Sequence, residues 1–434
     1  MRKLIGIRRE DKNIWERRVP LTPEHVKILR EKENIEFIVQ PFERRAFSDD
    51  EYRAAGATVS EDFSEAPFVF AVKEIPTKLL EAGKVYMYFS HTIKGQDYNM
   101  PMLQRLLDLK ATLIDYETIK DENGRRLVFF GRFAGIAGMI DALHAFGKRL
   151  QYFGYETPFL HVKMSYEYGE VALAKEDIRK TALEIANADL PDEFAPYIFG
   201  FSGYGNVSRG AQEIFDLLPA KEIAPDEIAD IVARKEKGLF KVVFKEEDLV
   251  QPKDENQPFE LQDYYVHPEK YAPKFEKYLV NLTALVNAVY WDERYPRLVT
   301  KKFLKENFDK MRLVLIQDIS CDINGGVEIT YRATEPDVPG YVYNPETDEF
   351  TDGFEGKGVL NLAVDNLPTE IAKDSSIAFG DALMPFVPGI VNADYEKPFA
   401  EIDLPPEIKR AVIVYKGELT PDYEYLKEYL EKVK

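Results

Sequence analysis

The sequence predicts an α/β protein of two domains, each built on a parallel β-sheet covered by helices. Three observations lead to this prediction. Short β-branched and aromatic runs alternate with amphipathic helical stretches, as in successive βαβ units. A glycine-rich turn joins a strand pattern to a helix pattern near the middle of the chain. In addition, 434 residues are too many for one ordinary core.

The N-terminal part alternates strand and helix patterns. The predicted strands are KLIGIRR, EFIVQP, FVFAVKEIP, KVYMYFSH and ATLIDYETI, and the predicted helices are TPEHVKILREKE, DDEYRAAGA and MPMLQRLLDLK. Because helices separate most of the strands, the pattern predicts a parallel sheet in this part of the chain.

A long helix, FAGIAGMIDALHAFGKRLQYFG, follows and carries small residues on one face, which allows close backbone approach. We place the first domain junction there. The second sheet is expected to contain YIFGFS, LTALVNAVYW and RLVLIQDISC, with a polar, irregular excursion at about 244–275. Two C-terminal helical stretches, PTEIAKDSSIAFGDALMPFV and TPDYEYLKEYLEKVK, are expected to return to the first domain. The predicted domains are 1–135 plus 360–434, and 136–359.

Composition excludes several classes of function. A formal net charge of −19 argues against nucleic acid or an anionic membrane surface as a partner. The single cysteine, Cys321, excludes an intramolecular disulfide and a Cys-based zinc cluster, and the five histidines are too scattered to predict a metal site. The charged N-terminus is unlike a signal peptide, and no stretch of 18 apolar residues occurs, so a cytoplasmic location is expected.

The central stretch YIFGFSGYGNVSRGAQEIF, residues 197–215, predicts a dinucleotide-binding loop. Gly203 supplies a tight turn, Gly205 lets a pyrophosphate approach the backbone, and the helix N-terminus adds a favourable dipole. A purely structural turn is the other interpretation. The predicted cofactor-binding residues here are Gly203, Gly205, Asn206, Val207, Ser208 and Arg209. The fold class is accordingly two Rossmann-like domains flanking a cleft, and residues 136–359 form the dinucleotide-binding domain.

The choice between NAD and NADP depends on the end of the next strand. An acidic residue that binds a ribose 2′-hydroxyl is expected there, about twenty residues beyond the turn. The chain reads AKEIAPDEI, and we expect Ala224 and Pro225 to occupy the strand end, with Asp226 behind them. Since no carboxylate would then repel a 2′-phosphate, and Arg209 could bind one, the sequence favours NADPH over NADH.

Several motifs resemble one enzyme family. ERRVPLTPEHV is similar to the opening of the alanine dehydrogenase and transhydrogenase superfamily, in which an arginine meets a substrate carboxylate. AVKEIP, YFSHTIKGQDYNM, LIDYETIKDENGRR, FGRFAGIAGMIDALH, VYWDERYPRLVT and VDNLPTEIAKDSSIAFGDALMP resemble the lysine-ketoglutarate reductase part of the animal and plant bifunctional aminoadipic semialdehyde synthase. More distantly, they resemble the fungal lysine-forming saccharopine dehydrogenase. The resemblance extends almost from end to end.

This resemblance implies that lysine, 2-oxoglutarate and NADPH react to give saccharopine, NADP and water. It assigns Lys73 and His91, each at a predicted strand end, as the acid–base pair. The alternatives are a solvated lysine and a structural histidine. A lysine acts as a base only if its pKa falls, and Glu74 would oppose such a fall unless it points away.

Four residues are predicted to bind the substrates, from the resemblance or from the need for counter-charges: Arg18, Lys94, Glu117 and Arg126. Arg18 suits a carboxylate because a guanidinium binds it in a planar, bidentate way. Its neighbour Arg17 is equally well interpreted as a surface charge or as a substrate ligand. The pairs Arg125-Arg126 and Arg44-Arg45 are typical of exposed surface arginines, although saccharopine has three carboxylates to neutralise.

Three aspartates follow strands of the second domain. Asp318 and Asp322, in QDISCDINGG, are expected to face the nicotinamide ribose or the reaction centre, and Asp365, in VDNLP, resembles the family's cofactor-side aspartate that enters the returning helix near the cleft. Cys321 is interpreted as a buried small residue, because no paired base motif would activate it as a nucleophile.

The animal and plant proteins continue into a saccharopine dehydrogenase part, whereas this chain ends at Lys434. We therefore expect saccharopine to pass to a separate polypeptide. Three alternatives remain: an NAD-dependent fungal-type enzyme, an alanine-type dehydrogenase that uses ammonia, and a non-catalytic sensing module. The retained Arg18, Lys73 and His91 argue against the sensor.

Overall fold

A computed structural model describes residues 2–432. Contacts divide the chain into two compact units, Met1–Phe130 with Ala372–Lys434, and Gly131–Ile371. The junctions lie at 130/131 and 371/372, whereas the sequence placed them at 135/136 and 359/360. They differ because the long helix begins at Gly131 and the strand Val359–Leu362 pairs within the second sheet.

The N-terminal segment of the first unit alternates strands and helices. Its strands are β1 (Leu4–Ile7), β2 (Glu36–Val39), β3 (Thr58–Val59), β4 (Phe68–Phe70), β5 (Val85–Tyr88) and β6 (Thr112–Asp115), and its helices are α1 (Pro23–Glu33), α2 (Asp49–Ala54) and α3 (Met100–Asp108). Helix α1 starts with a proline in its first position and ends at Asn34, which is in the left-handed conformation with φ 55°.

The second unit contains most of the elements of the chain. Its helices are α4 (Gly131–Tyr152), α5 (Ser165–Tyr168), α6 (Val171–Asn187), α7 (Asn206–Phe215), α8 (Ile228–Ala233), α9 (Glu246–Leu249), α10 (Leu261–Val266), α11 (Glu276–Leu279) and α12 (Lys301–Asn307). Its strands are β7 (Tyr197–Ser202), β8 (Ala220–Glu222), β9 (Leu239–Phe244), β10 (Val250–Pro252), β11 (Tyr271–Pro273), β12 (Ala284–Asn287), β13 (Leu315–Asp318), β14 (Gly340–Asn344), β15 (Glu349–Asp352) and β16 (Val359–Leu362).

The C-terminal segment returns to the first unit, as predicted. It contains α13 (Ala372–Leu383), α14 (Val387–Asn392), α15 (Pro406–Arg410), β17 (Val412–Tyr415), β18 (Glu418–Leu419) and α16 (Lys427–Lys432). The helix predicted over 420–434 is a 3-10 turn at Pro421–Leu426 followed by α16, and residues 433 and 434 lie outside the described residues.

The first unit has an eight-stranded sheet in the order β18-β17-β6-β5-β4-β1-β2-β3. Strands β1 to β6 pair in parallel, and β17 adds to β6 in the antiparallel direction. Phe68, Val69 and Phe70 are all buried, as expected of a parallel strand that helices cover on both faces. The returning segment therefore completes this sheet.

The second unit has an eight-stranded sheet in the order β15-β14-β16-β13-β12-β7-β9-β8. The strands from β8 to β16 in this order pair in parallel, and β14 and β15 close one edge in the antiparallel direction. Two mostly parallel sheets confirm the predicted fold class. Strand β7 lies between β12 and β9, although β8 follows it in the chain.

The stretch at 244–275 is more ordered than the sequence predicted. It forms α9 and α10 and a small antiparallel sheet of β10 and β11. Leu249, Tyr264, Tyr271 and Phe275 are buried in the core of the second unit. The prediction of an irregular excursion was wrong because polar residues separate these apolar anchors and hide any period.

Small residues on α4 let other backbones approach it closely, as predicted. A Cβ on Gly135 would lie 1.9 Å from the carbonyl oxygen of Val207 on α7, and a Cβ on Gly147 would lie 2.7 Å from the backbone of Phe159. Gly210 on α7 has the same relation to Arg132, at 2.0 Å. Helices α4 and α7 therefore pack backbone against backbone. None of the helices within 2–432 is both long and apolar enough to span a membrane.

Candidate active site

The candidate catalytic residues of the first unit follow neighbouring parallel strands. Strands β1, β4, β5 and β6 are adjacent, so their carboxyl ends lie at the same edge of the sheet. Glu10, Lys73, His91 and Glu117 come within a few residues of these four strand ends. In open parallel sheets this edge is where ligands bind.

His91 and Glu74 form a hydrogen-bonded pair between two of these strand ends. The Nδ1 atom of His91 lies 2.6 Å from Oε1 of Glu74, and Lys12 Nζ donates to Oε2 of the same carboxylate at 2.8 Å. Burial raises the pKa of Glu74, but the hydrogen bonds and charges of His91 and Lys12 outweigh burial and bring that pKa to about 2. Glu74 is thus a carboxylate that orients His91, and it fixes the ring so that the other nitrogen, Nε2, can face a reactant.

The backbone of His91 adopts an uncommon conformation. Its φ is +50°, in the left-handed region that few residues other than glycine enter. Asn99 Nδ2 donates to the His91 carbonyl oxygen at 3.1 Å and helps to hold this geometry. Local strain of this kind concentrates at functional sites, where the surroundings hold a side chain in place.

Glu10 is a site residue that the sequence analysis missed. It is fully buried, and its two carboxylate oxygens accept the backbone N–H groups of Val72 at 2.6 Å and of Lys73 at 3.0 Å. Burial, together with the nearby charge of Glu16, raises the pKa of Glu10 to about 7. Glu10 therefore fixes the peptide that carries Lys73. A carboxylate three residues after an apolar strand was the available signal.

Replacing Glu10 by glutamine is expected to change how stability depends on pH. Because the pKa is raised from 4.5 to about 7 by folding, the folded state loses stability as the pH rises through that range. Across this range, ionisation of Glu10 lowers the free energy of unfolding by about 3 kcal/mol. Urea unfolding between pH 5 and pH 8 should show a shallower decline for Glu10→Gln than for the wild type. If the stability of both proteins fell equally with pH, Glu10 would not have a raised pKa in the folded state.

Arg18 is buried and already has a carboxylate partner. Glu16 accepts from Arg18 Nε at 2.8 Å and from an Nη atom at 2.7 Å, and the Arg18 guanidinium lies 4.2 Å from the ring centroid of Phe130. The guanidinium carbon of Arg126 lies 6.0 Å from the ring of Phe89, which is itself 6.0 Å from Phe130. The two candidate arginines thus lie on one aromatic cluster beside the strand ends.

The other predicted substrate residues are placed less closely together. Lys94 lies in the same loop as His91, but it is exposed and lines a separate cavity of about 610 Å³ with Lys120, Arg410 and Tyr423. Glu117 is half-buried, and its backbone N–H donates to Asp115 at 2.7 Å.

The arginine pairs do not behave alike. Arg125 is an exposed partner of Asp121, as expected, and Arg17 is exposed as well. In contrast, Arg45 is buried, pairs with Asp49 at 2.7 Å and lies over Tyr52, so its interpretation as a surface residue was wrong. Two adjacent arginines in a sequence do not reveal whether one of them is buried in an ion pair.

The glycine-rich turn in the second unit has the geometry expected of a nucleotide loop. Gly203 has φ +82°, and a Cβ on Gly205 would meet no atom within 4 Å, so the space above the turn is open. Asn206 and Arg209 are exposed on the first turn of α7, Val207 is half-buried and Ser208 is buried. An open turn before a helix N-terminus fits a pyrophosphate.

The predicted end of the neighbouring strand was wrong. Strand β8 ends at Glu222 and lies at the edge of the sheet, so Ala224 and Pro225 do not flank the turn. The strand beside β7 is β9, in which Phe244 pairs with Ser202 and accepts a hydrogen bond from Gly203 N at 2.9 Å. Local sequence does not show that β9, rather than β8, pairs with β7. Counting residues from the turn therefore led to the wrong strand.

A cavity of about 430 Å³ opens beside the turn. Its lining includes Gly203, Tyr204, Gly205, Glu246, Tyr265, Tyr290 and Trp291. Glu246 lies two residues after β9, and its Oε1 accepts from the Tyr265 hydroxyl at 2.7 Å. The sequence analysis missed Glu246. The available signal was a strand pattern, LFKVVF, followed closely by acidic residues.

Asp318 and Asp365 differ in their surroundings. Asp318 is buried and accepts hydrogen bonds from Thr330 at 2.6 Å, and from Ser320 and Asn287 at 2.8 Å each; burial raises its pKa. This network joins the ends of β12 and β13, so the structure gives Asp318 a framework role. Asp365 is exposed after β16, and its assignment to the cofactor stays a prediction.

Cys321 is buried, as expected. Its thiol donates to the carbonyl oxygen of Ala363 at 3.0 Å, and burial raises its pKa. Within the part of the chain that the structure describes, no group of three or more His, Cys, Asp or Glu side chains could hold a metal ion.

Two family models match the chain. The model of the alanine dehydrogenase/PNT N-terminal domain matches residues 6–137, and that of the alanine dehydrogenase/PNT C-terminal domain matches residues 261–422. The first match contains Arg18, Lys73 and His91, and the second includes Asp318 and Asp365.

Named relatives agree with these matches. The chain is 40% identical to alpha-aminoadipic semialdehyde synthase of Arabidopsis thaliana over 98% of its length, and 35% identical to the mitochondrial alpha-aminoadipic semialdehyde synthase of Mus musculus over 99%. It spans only 41% and 48% of those two proteins. It is also 25% identical to the lysine-forming, NAD(+) saccharopine dehydrogenase of Emericella nidulans, over 88% of this chain and 90% of that protein.

Solved structures share the fold. An L-alanine dehydrogenase aligns with a TM-score of 0.59 at 18% identity, over 99% of this chain and all of the other. A transhydrogenase from Sinorhizobium meliloti aligns with a TM-score of 0.54 at 15% identity, over 96% and 99% of the two chains. The chain therefore belongs to the alanine dehydrogenase/PNT family, and over almost its whole length it is similar to the alpha-aminoadipic semialdehyde synthases.

Proposed function

We propose that the chain catalyses the reductive condensation of L-lysine with 2-oxoglutarate to saccharopine, which is the first step of lysine degradation by the saccharopine route. The observation that carries this proposal is the grouping of Lys73, the His91–Glu74 pair and Glu117 after three adjacent parallel strands. Membership of the family supports it.

Proton transfers dominate the chemistry of this reaction. The lysine ε-amine must lose a proton before it attacks the 2-oxo carbon, and the carbinolamine that forms must then lose water to give an imine. Lys73 and His91 act as the acid–base pair in these steps. Glu74 holds the His91 ring by its Nδ1 atom, so the proton moves at Nε2, and Glu10 fixes the peptide of Lys73.

The carboxylates of the substrates need counter-charges. Arg18 and Arg126, both beside the cluster of Phe89 and Phe130, provide guanidinium groups near the strand ends. Since Glu16 already binds one edge of Arg18, a substrate carboxylate shares or displaces that ion pair. Lys94 and Glu117 remain candidates for the outer parts of the substrates.

The reductant is a reduced nicotinamide dinucleotide. When bound, it supplies the hydride that converts the imine carbon to a secondary amine. The open turn at Gly203 and Gly205 and the N-terminus of α7 fit its pyrophosphate. The sequence argument for NADPH depended on Ala224 and Pro225 and loses that basis, because they follow an edge strand.

The assay is oxidation of reduced cofactor, followed at 340 nm. We expect oxidation only when lysine and 2-oxoglutarate are both present, because hydride transfer requires the imine. Replacing lysine by ammonium should abolish the signal, and activity with ammonium would instead favour an alanine-type dehydrogenase. Nucleotide binding without turnover on any substrate pair would favour a sensing module.

Two further expectations remain proposals. A separate polypeptide would then consume saccharopine by an oxidative cleavage of its C–N bond. A cytoplasmic location also stays a prediction, and the named mouse relative is a mitochondrial protein.

A further inference from the structure

The outer face of helix α6 carries two leucines that the fold leaves exposed. Leu173 is 52% exposed and Leu183 is 70% exposed, whereas the opposite face of the helix, which includes Ile178, is buried. A single leucine on a surface needs no explanation. These two, however, belong to one stripe of side chains along the helix.

The stripe follows the spacing of a helix that packs on another helix. It consists of Leu173, Glu176, Lys180, Leu183 and Asn187, all of which are exposed. The intervals between them are three, four, three and four residues, so at 3.6 residues per turn the five side chains project in nearly the same direction. Intervals of three and four residues are typical of the seam between two paired helices.

The stripe is symmetric about Ile178 in its chemistry. Leu173 and Leu183 are each five residues from this centre, and Glu176 and Lys180 are each two residues from it. When a second copy of α6 runs in the opposite direction, residues equally far from the centre lie at the same level. Leu173 then meets Leu183 of the second copy, and Glu176 meets Lys180. Leucine contacts leucine, and each acid meets a base.

The charges support the same arrangement. Glu176 and Lys180 form an ion pair at 2.8 Å within one chain, so two antiparallel copies place two acids and two bases in alternation at the centre. Beside the stripe, Asp177 and the exposed Arg179 are also placed symmetrically about the centre. Chains with a net charge of −19 repel each other, and this neutral, self-complementary stripe is a surface on which they can meet.

We propose that α6 is a self-association surface, on which two copies of the chain pack their α6 helices antiparallel about a two-fold axis level with Ile178. A two-fold interface brings the same patch of both copies together, and therefore requires a pattern that is complementary to itself. One helix pair is a small interface, so we expect a Kd on the order of 10 µM. The inference concerns assembly, and it can fail or hold independently of the proposed reaction.

Sedimentation of the full chain between about 1 and 100 µM tests the proposal. The mass should rise from 50.0 kDa toward twice that value as the concentration increases. Leu183→Lys should raise the Kd at least about 100-fold, because the symmetry removes two leucine contacts and each contributes about tenfold or more. A wild-type mass that stays at 50.0 kDa at about 100 µM would overturn the proposal, as would an assembly that Leu183→Lys leaves intact.

Exchange of charges tests the antiparallel register. Glu176→Lys and Lys180→Glu each place like charges opposite one another twice, so each should weaken self-association about tenfold or more. An equimolar mixture of these two variants should associate with about the wild-type Kd, because every acid again meets a base between the two different chains. Loss in each variant with restoration in the mixture is expected for antiparallel pairing centred on Ile178. A mixture that stays dissociated would overturn this arrangement.

The matched control is Glu306→Lys on helix α12. Glu306 is exposed and lies four residues from Lys302, at 4.0 Å, so this pair resembles Glu176 and Lys180 but lies outside the stripe. The variant should keep the Kd within about twofold of the wild type. An equal weakening by Glu306→Lys and Glu176→Lys would show that net charge, not the stripe, controls association, and would overturn the proposal. Thermal unfolding shows that each variant is folded, and the charge variants decide if Leu183→Lys is not.

Discussion

Lys73→Met is expected to lower kcat of the saccharopine-forming reaction about 10²- to 10⁴-fold, which is the range that a general acid–base catalyst contributes. Methionine has a similar length and volume but neither accepts nor donates a proton at neutral pH. The backbone N–H of Lys73 still bonds to Glu10 in this variant, so the loop keeps its position. Initial rates at saturating lysine, 2-oxoglutarate and reduced nicotinamide dinucleotide measure the effect.

The control for this variant is Lys78→Met. Lys78 lies five residues further along, in the 3-10 turn Thr77–Leu79, and is exposed. Its replacement should leave kcat within about twofold, as surface substitutions usually do. Binding of the reduced dinucleotide, which we assign to the second unit, should be the same in both variants. If Lys73→Met kept more than a third of the wild-type kcat, Lys73 would not be the acid–base group.

Gly135→Ala is expected to lower the free energy of unfolding by about 3 kcal/mol or more. The added Cβ would lie 1.9 Å from the carbonyl oxygen of Val207 and 2.7 Å from the backbone nitrogen of Ala211. These are backbone atoms, so α4 and α7 must move apart and lose their packing. The predicted cost exceeds the gain of about 1 kcal/mol that alanine brings to a helix interior. Chemical denaturation measures the difference.

Gly205→Ala is the control that distinguishes loss of helix packing from the general effect of replacing a glycine. The Cβ of Gly205→Ala would meet no atom within 4 Å, and the φ of this residue is −74°, which alanine adopts readily. Because Gly205 is the N-cap of α7, where alanine is less favourable than glycine, this variant should lose no more than about 1 kcal/mol of stability. A similar loss of stability in both variants would show that close contact between α4 and α7 is not the cause.

The sequence predicted the parts of the site that depend on local order. Lys73 and His91 follow apolar strands, and their strands are neighbours because successive βαβ units usually pair side by side. Motifs that resemble a family then assigned their roles. The small-residue face of α4 was also readable, since glycine spacing within one helix is a local pattern.

The parts that failed depend on contacts between distant segments. Glu10 bonds to residues more than sixty positions away, and the carboxylate of Glu74 turns toward His91 and Lys12. In the sheet, β9 lies between β7 and β8, so the strand end nearest the turn was sought at Ala224 although β9 occupies that place. Neither propensity nor periodicity contains this information, because both describe only a residue and its near neighbours.

The antiparallel pairing of β17 with β6 has a consequence for synthesis of the chain. The edge of β6 remains open until Val412 and the residues after it have left the ribosome, roughly 300 residues after β6 itself. At about 5–20 residues per second, this delay is on the order of 15–60 s. The middle unit, continuous from Gly131 to Ile371, can fold during that time. The nascent N-terminal segment meanwhile exposes the unpaired edge of an apolar strand, which is a site of aggregation during synthesis.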